Sequence, residues 1–265
     1  INPACRVFFM APGAKARGVD MTPTSLTLID QVKTQSILGE GVIWHHERGE
    51  AWWVDIQSCL LFAYRLKDQN LRQWQTPERV TCMGFTRDEK RLMVAFASGF
   101  AYYDLDSGEV NWQAQPNDIP NTRFNDGRTD RQGRFWSGTM VEDGNFDDAR
   151  GALFCLDAGR SERRFGDLLI SNGLCFSPDS TVMYHSDSPR QEIYAYDFDA
   201  ESGGLGERRL FAKTDEGCYP DGACVDAEGY YYSAQWGGSR IVRYAPDGEV
   251  DALFPMPVTQ PSCVA

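Results

Sequence analysis

Short apolar runs alternate with polar, glycine-rich turns along nearly the whole chain, and the alternation repeats as a unit. Each unit opens with a small loop ending in glycine and a brief apolar strand. A polar turn, a second strand dense in aromatic residues and a third aromatic, β-branched strand follow. The turn-plus-second-strand segments fall at 47–55, 86–95, 130–138, 177–184 and 226–234, and the third strands at 60–66, 100–106, 151–157, 192–199 and 240–246. Such runs, bounded by Asp, Gly and Pro, predict strands joined by tight turns. No segment sustains the 3.6-residue period of a helix.

The opening glycines fix the period. Gly41, Gly84, Gly127, Gly173 and Gly222 lie 43, 43, 46 and 49 residues apart. Units of this length with about four strands each predict the blades of an all-β fold, the β-propeller. A sixth unit begins at 260–265, so the expectation is a six-bladed β-propeller whose last blade is incomplete in this chain. The strand-like segment 25–32 is expected to pair with that last blade and close the ring. Residues 1–20 read as a tag remnant or upstream read-through before a start at Met21, which leaves 21–265 as a single propeller domain. Their one apolar stretch, from Cys5 to Met10, is too short and broken for a signal peptide.

A propeller turns the innermost strand of every blade toward one channel, so equivalent positions face one another. The residues just before the marker glycines are Glu40, Met83, Asp126, Asn172 and Asp221. Three carboxylates and one carboxamide around one axis suit a hard divalent cation, calcium first and Mg²⁺ or Mn²⁺ next. Without a cation, packing those carboxylates together is costly. The plainer reading makes Asn125-Asp126-Gly127, Ser171-Asn172-Gly173 and Pro220-Asp221-Gly222 simple turns. Pro246-Asp247-Gly248, which follows a third strand, is read as a turn only.

Charge and composition narrow the partners. The 265 residues carry a net charge of −12. An acidic chain without a Lys/Arg cluster argues against nucleic acid and against an anionic membrane. No apolar run approaches the ~20 residues of a membrane helix. The 8 cysteines include no C-x-x-C pair and are read as free thiols of a cytoplasmic protein.

Several separated motifs together resemble the SMP-30/gluconolactonase family. They are Leu38-Gly39-Glu40-Gly41-Val42-Ile43-Trp44, Arg123-Phe124-Asn125-Asp126-Gly127, Gly133-Arg134-Phe135-Trp136-Ser137-Gly138-Thr139-Met140, Ser171-Asn172-Gly173-Leu174 and Pro220-Asp221-Gly222. The resemblance runs from about residue 33 to the end. It implies a six-bladed propeller that hydrolyses small sugar lactones such as gluconolactone, arabinonolactone or xylonolactone. It also implies one divalent metal, Ca²⁺ or Zn²⁺ with Mn²⁺ or Mg²⁺ as further options, held by Glu40, Asn172 and Asp221. Arg123 and Asn125 are implied substrate contacts. An acidic residue after the Gly-Thr-Met motif adds another; Glu142 and Asp143 both stand there, and Asp143 fits better by spacing. Val42, Arg128 and Arg131 replace the Pro, Lys and Pro common at those places, and none is a ligand.

Asp221, a ligand with a second oxygen, is the expected general base for water. Two other readings of the same site stand beside the lactonase: a non-catalytic calcium-binding propeller and a phosphotriester hydrolase. His45 and His46 are adjacent, so on a strand they point to opposite faces and cannot chelate together. His185 lies beside Ser186-Asp187-Ser188, but adjacent residues cannot supply triad geometry and no G-x-S-x-G motif is present. Trp52, Trp53, Trp136 and Trp236 are read as blade packing, and Gly237-Gly238 as a strand-end turn.

Overall fold

The computed structural model describes residues 6–12 and 26–265. Five four-stranded antiparallel sheets follow one another along the chain, each a simple meander. Blade one comprises Gly39–His45, Glu50–Asp55, Leu60–Arg65 and Asn70–Gln75. Blade two comprises Val80–Phe85, Arg91–Phe96, Phe100–Asp104 and Val110–Ala114. Blade three comprises Thr122–Thr129, Phe135–Val141, Gly151–Asp157 and Arg160–Leu168. Blade four comprises Ser171–Phe176, Val182–Asp187, Glu192–Asp199 and Gly204–Lys213. Blade five comprises Tyr219–Val225, Tyr231–Trp236, Arg240–Tyr244 and Val250–Pro255.

Burial follows position in the blade. The second strand of blade one, Glu50–Asp55, is buried at every residue, because both of its faces meet packed neighbours. The outer strand Asn70–Gln75 keeps none of its residues buried. Apolar clusters sit between successive blades. Trp52, Val54 and Leu61 of blade one meet Val80, Met83 and Leu92 of blade two. Cys82 and Phe100 meet Phe124 and Phe154 across the next interface. Trp136 and Leu153 meet Leu174 and Tyr194, and Cys175 and Tyr184 meet Tyr231 and Tyr244. Burying a large apolar side chain contributes about 1.5–3 kcal/mol, so these interfaces carry most of the stabilisation. Trp52, Trp53 and Trp136 are buried as expected, whereas Trp236 is 38% exposed and leans on Tyr219 with ring centroids 5.9 Å apart.

The blade count differs from the sequence expectation. Five complete blades are present among the described residues rather than six. The segment 260–265 forms no strand, but it bridges the first and last blades. The Gly222 amide donates to the Ser262 carbonyl at 2.7 Å, and the Ser262 hydroxyl donates to the Gly39 carbonyl. The strand expected to close the ring pairs elsewhere. Leu26–Lys33 runs antiparallel to Arg6–Pro12 in a two-stranded sheet of its own. Val32 joins Ala51, Trp53, Phe62 and Tyr64 in a cluster on the open face of blade one. Arg6–Pro12 therefore belongs to a sheet, although residues 1–20 were expected to contribute nothing; the remainder of that segment, and Met21, lie outside the described residues. Among the described residues no helix is long and apolar enough to cross a membrane, and seven cysteines, among them the buried Cys82, Cys155 and Cys175, are free.

Candidate metal and substrate site

A β-bulge in the inner strand decides which side chains reach the axis. Register shifts fall between Glu40 and Ile43 in blade one, Phe124 and Gly127 in blade three, Asn172 and Cys175 in blade four, and Pro220 and Ala223 in blade five. An extra residue in one strand breaks the strict in–out alternation and re-aims the side chain beside it. Gly41 and Gly173 take left-handed φ values of 60° and 62°, which glycine adopts without a Cβ penalty. In blade two the shift comes earlier, between Val80 and Cys82, and Met83 pairs regularly with Val94. Met83 consequently enters the core between blades one and two at 1% exposure and leaves the ring of expected axial residues.

The remaining polar residues form a chain of contacts. Asn172 and Asp221 are both buried, on neighbouring inner strands. The Asn172 amide donates to Ser188 Oγ at 2.8 Å, and the Ser188 hydroxyl donates to the Pro220 carbonyl at 2.7 Å, just before Asp221. Asn125 Nδ2 donates to Asn172 Oδ1 at 2.9 Å and to the Ser171 carbonyl at 2.9 Å. Arg123 Nη1 donates to Asn125 Oδ1 at 2.7 Å. The Glu40 carboxylate acts electrostatically on the Arg123 guanidinium and on Cys263 of the bridging segment. Asp126 is turned to structural use: it accepts from its neighbour Gly127 N at 2.9 Å and from Leu174 N at 3.0 Å, and so holds the bulge of blade four.

The electrostatics of the site are unbalanced. Burial, and then the nearby Asp126 carboxylate, push the Asp221 carboxyl well above its ordinary value. Asp221 Oδ1 is buried without a hydrogen-bond partner. A buried carboxylate in that state lacks the positive charge that would stabilise its ionised form. The donor set therefore fits a divalent cation. Among the described residues no three His, Cys, Asp or Glu side chains are grouped as a cation site, so Glu40, Asp126 and Asp221 do not form one by themselves.

The two acidic candidates after Met140 separate. Glu142 Oε1 lies 3.3 Å from Arg123 Nε, off the line of a hydrogen bond, and both Glu142 oxygens accept from Arg79. These cations hold the Glu142 carboxyl below its ordinary value, Arg79 first. Asp143, the better candidate by spacing, accepts instead from Arg150 at 2.7 Å and from Asn121 at 3.3 Å. Both residues lie in the bend that follows Phe135–Val141, and the split between them is one of partners: Arg79 and Arg123 for Glu142, Arg150 and Asn121 for Asp143.

Two supporting carboxylates were missed in that role from the sequence, Asp187 having been weighed only as a triad member. Asp55 accepts from the Ile37 and Leu38 amides at 3.0 Å each, just before Glu40. Asp187 accepts from the Leu169 and Ile170 amides at 3.1 and 3.0 Å, just before Asn172. A signal existed: both blades that use this device end their second strand in Asp. His185 is fully buried with Nε2 2.8 Å from Ser171 Oγ, while Asp187 is engaged with backbone amides, so no Ser-His-Asp triad forms.

Comparison with known proteins agrees with this architecture. Residues 38–265 match the family model described as SMP-30/gluconolactonase/LRE-like region. A protein named L-arabinolactonase from Azospirillum brasilense is 37% identical over 88% of this chain and 78% of its own. One named 6-deoxy-6-sulfogluconolactonase from Pseudomonas putida is 38% identical over 90% of this chain and 82% of its own. The solved structure of a calcium-binding protein, regucalcin, from Agrobacterium tumefaciens superposes with a TM-score of 0.81 at 28% identity, covering 92% of this chain and 79% of that one. With the axial bulges, the order of motifs and a match across nearly the whole propeller in agreement, this chain belongs to the SMP-30/gluconolactonase/LRE-like family.

Proposed function

We propose that this protein hydrolyses small sugar lactones, of the arabinono-, xylono- or gluconolactone class, beside a divalent cation held by Glu40, Asn172 and Asp221. The observation that carries the reading is the buried Asp221 carboxylate, its Oδ1 without a partner, on the inner strand that neighbours the one bearing the buried Asn172. The lactonase names of relatives that align along most of this chain support the substrate class. The calcium-binding neighbour supports a divalent cation, with calcium favoured by an all-oxygen donor set. The bridging segment 260–265, lying between Gly222 and Gly39, is read as the inner position of a sixth blade.

A divalent cation at this point supplies positive charge that polarises a lactone carbonyl. The protein's own residues do the rest. Arg123, nearly fully buried, presents guanidinium N–H groups to the sugar hydroxyls and the ring oxygen, while Asn125, whose amide N–H groups are committed to Asn172 and the Ser171 carbonyl, offers its carbonyl oxygen to a hydroxyl hydrogen; together they fix the carbonyl carbon in place. Glu142, which lies beside Arg123, offers the acidic contact to a hydroxyl hydrogen in place of Asp143. Asp221 has an oxygen free to take the proton of the attacking water, and the proton then passes to the leaving hydroxyl as the ring opens.

The test is Asp221→Ala, assayed on a panel of aldonolactones with chelator treatment and metal add-back. Turnover is expected to fall by at least about a hundredfold, beyond the loss typical of perturbed groups that only support a ligand, with unfolding still cooperative. Wild-type rates in the variant, or chelator-insensitive turnover in the parent, overturn the assignment.

A further inference from the structure

Blade two sends no polar side chain to the axis from its inner strand, yet it reaches the site by another route. Arg79 stands immediately before Val80–Phe85. Its Nη1 donates to Glu142 Oε1 at 2.6 Å and its Nη2 to Glu142 Oε2 at 3.0 Å, a two-point grip. From Glu142 the contacts continue inward through Arg123, Asn125, Asn172 and Ser188 to the Pro220 carbonyl.

Direction is what makes this chain informative. A guanidinium has donors only and a carboxylate, when ionised, acceptors only. With Arg123 donating, Asn125 must turn its oxygen outward and its amide inward to Asn172. Asn172 must then accept on its oxygen and donate to Ser188. Flipping either amide would oppose two donors and leave a buried group unsatisfied, at a cost of about 1–3 kcal/mol. Glu142 stands in ion-pair contact with Arg123, and Arg79 grips both of its oxygens.

We propose that Arg79 is a positioning residue for sugar binding: by holding both oxygens of Glu142, it sets the placement of Arg123 and Asn125 and hence substrate affinity. The proposal rests on the lactonase reading. An exposed ion pair contributes little by itself. This one is only 31% and 29% exposed at its two side chains and is shared with a buried arginine, so its effect is transmitted inward.

The experiment compares the parent with Arg79→Gln, Arg79→Lys, Glu142→Gln and the Arg79→Gln/Glu142→Gln double variant. Three quantities are read: KM and kcat on arabinonolactone and gluconolactone, calorimetric affinity for the non-hydrolysable polyol arabinitol, and thermal unfolding. Arg79→Gln is expected to raise KM and the polyol Kd about tenfold, with kcat within about threefold. Arg79→Lys, keeping charge but only one contact point, should recover part of that loss. The double variant should bind no worse than Glu142→Gln alone, because the two residues act as one unit. Unchanged KM and Kd in Arg79→Gln, or losses that multiply in the double variant, overturn the proposal. So does a drop in kcat and unfolding temperature at constant KM, which would mark a mere tie between blades. A parent that binds arabinitol but hydrolyses no lactone defeats the functional reading, while the polyol affinities still decide the role of Arg79. A parent that binds no polyol defeats both.

Discussion

Blades four and two are built from the same repeat and make opposite use of it. In blade four the bulge lies between Asn172 and Cys175, Gly173 takes a left-handed φ, and Asn172 joins the polar chain toward the axis. In blade two the shift has moved to Val80–Cys82, Gly84 keeps an ordinary φ, and Met83 packs into the core. The same slot is thus an axial polar position or a core position according to where one extra residue falls. A propeller repeat specifies the slot, and the bulge decides which way it faces.

The strongest way to break this comparison is to place a ligand-type residue in the core-facing slot. Met83→Asp should lower stability by about 3–5 kcal/mol in urea denaturation, because it leaves a carboxylate uncompensated among Trp52, Val54 and Leu92. Met83→Leu should cost under about 1.5 kcal/mol. An aspartate there that is tolerated, or that tightens cation binding, would show that blade two can also serve the axis.

The glycines provide a sharper contrast of middle size. A Cβ on Gly173 would sit 2.5 Å from the Tyr231 hydroxyl and 2.6 Å from Ser186 Oγ, at a φ that side chains rarely adopt. Gly173→Ala should therefore cost about 1–3 kcal/mol and also depress lactone turnover, since the bulge that aims Asn172 is strained. A Cβ on Gly84 meets Thr129 Oγ1 at 2.2 Å without a φ penalty. Gly84→Ala should lose stability only, and Thr129→Ala should restore much of it. Equal activity loss in both glycine variants, measured by kcat/KM beside unfolding curves, would erase the distinction.

An effect absent at neutral pH and growing only below pH 6.5 separates the second strands. Counted back from the strand end, blade four has His185 where blade two has Val94. Burial lowers the His185 pKa from its ordinary 6.5 to about 3, so the folded protein holds a neutral imidazole. The unfolded chain binds this proton more readily. Stability is complete above pH 6.5 and falls as pH drops toward 3, by at most about 1.4 kcal/mol per pH unit. His185→Val should flatten that part of the stability–pH curve, and an unaltered slope would refute the assignment.

Much of this was legible from side-chain chemistry alone. Five glycines at a regular spacing announced the blades, and Glu40, Asn172 and Asp221 stood out because each precedes one of them. The same rule also nominated Asp126, whose carboxylate instead holds the backbone of Gly127 and Leu174. Spacing favoured Asp143, but the guanidinium groups of Arg79 and Arg123 gather at Glu142. Arg79 itself carried no signal, being 63 residues from its partner.

What the sequence determined by itself is therefore the all-β class, the repeat and the short roster of polar residues before the marker glycines, because these follow from local periodicity and turn chemistry, and the family, because its separated motifs stand in order along the chain. Only the tertiary structure decided the pairing of Leu26–Lys33 with Arg6–Pro12, the bridging of the first and last blades by 260–265, the burial of Met83 and the gathering of Arg79 and Arg123 at Glu142. Each of these depends on a register shift by one residue or on a contact between distant strands. Such choices are settled by the packing of whole blades against one another rather than by any local preference.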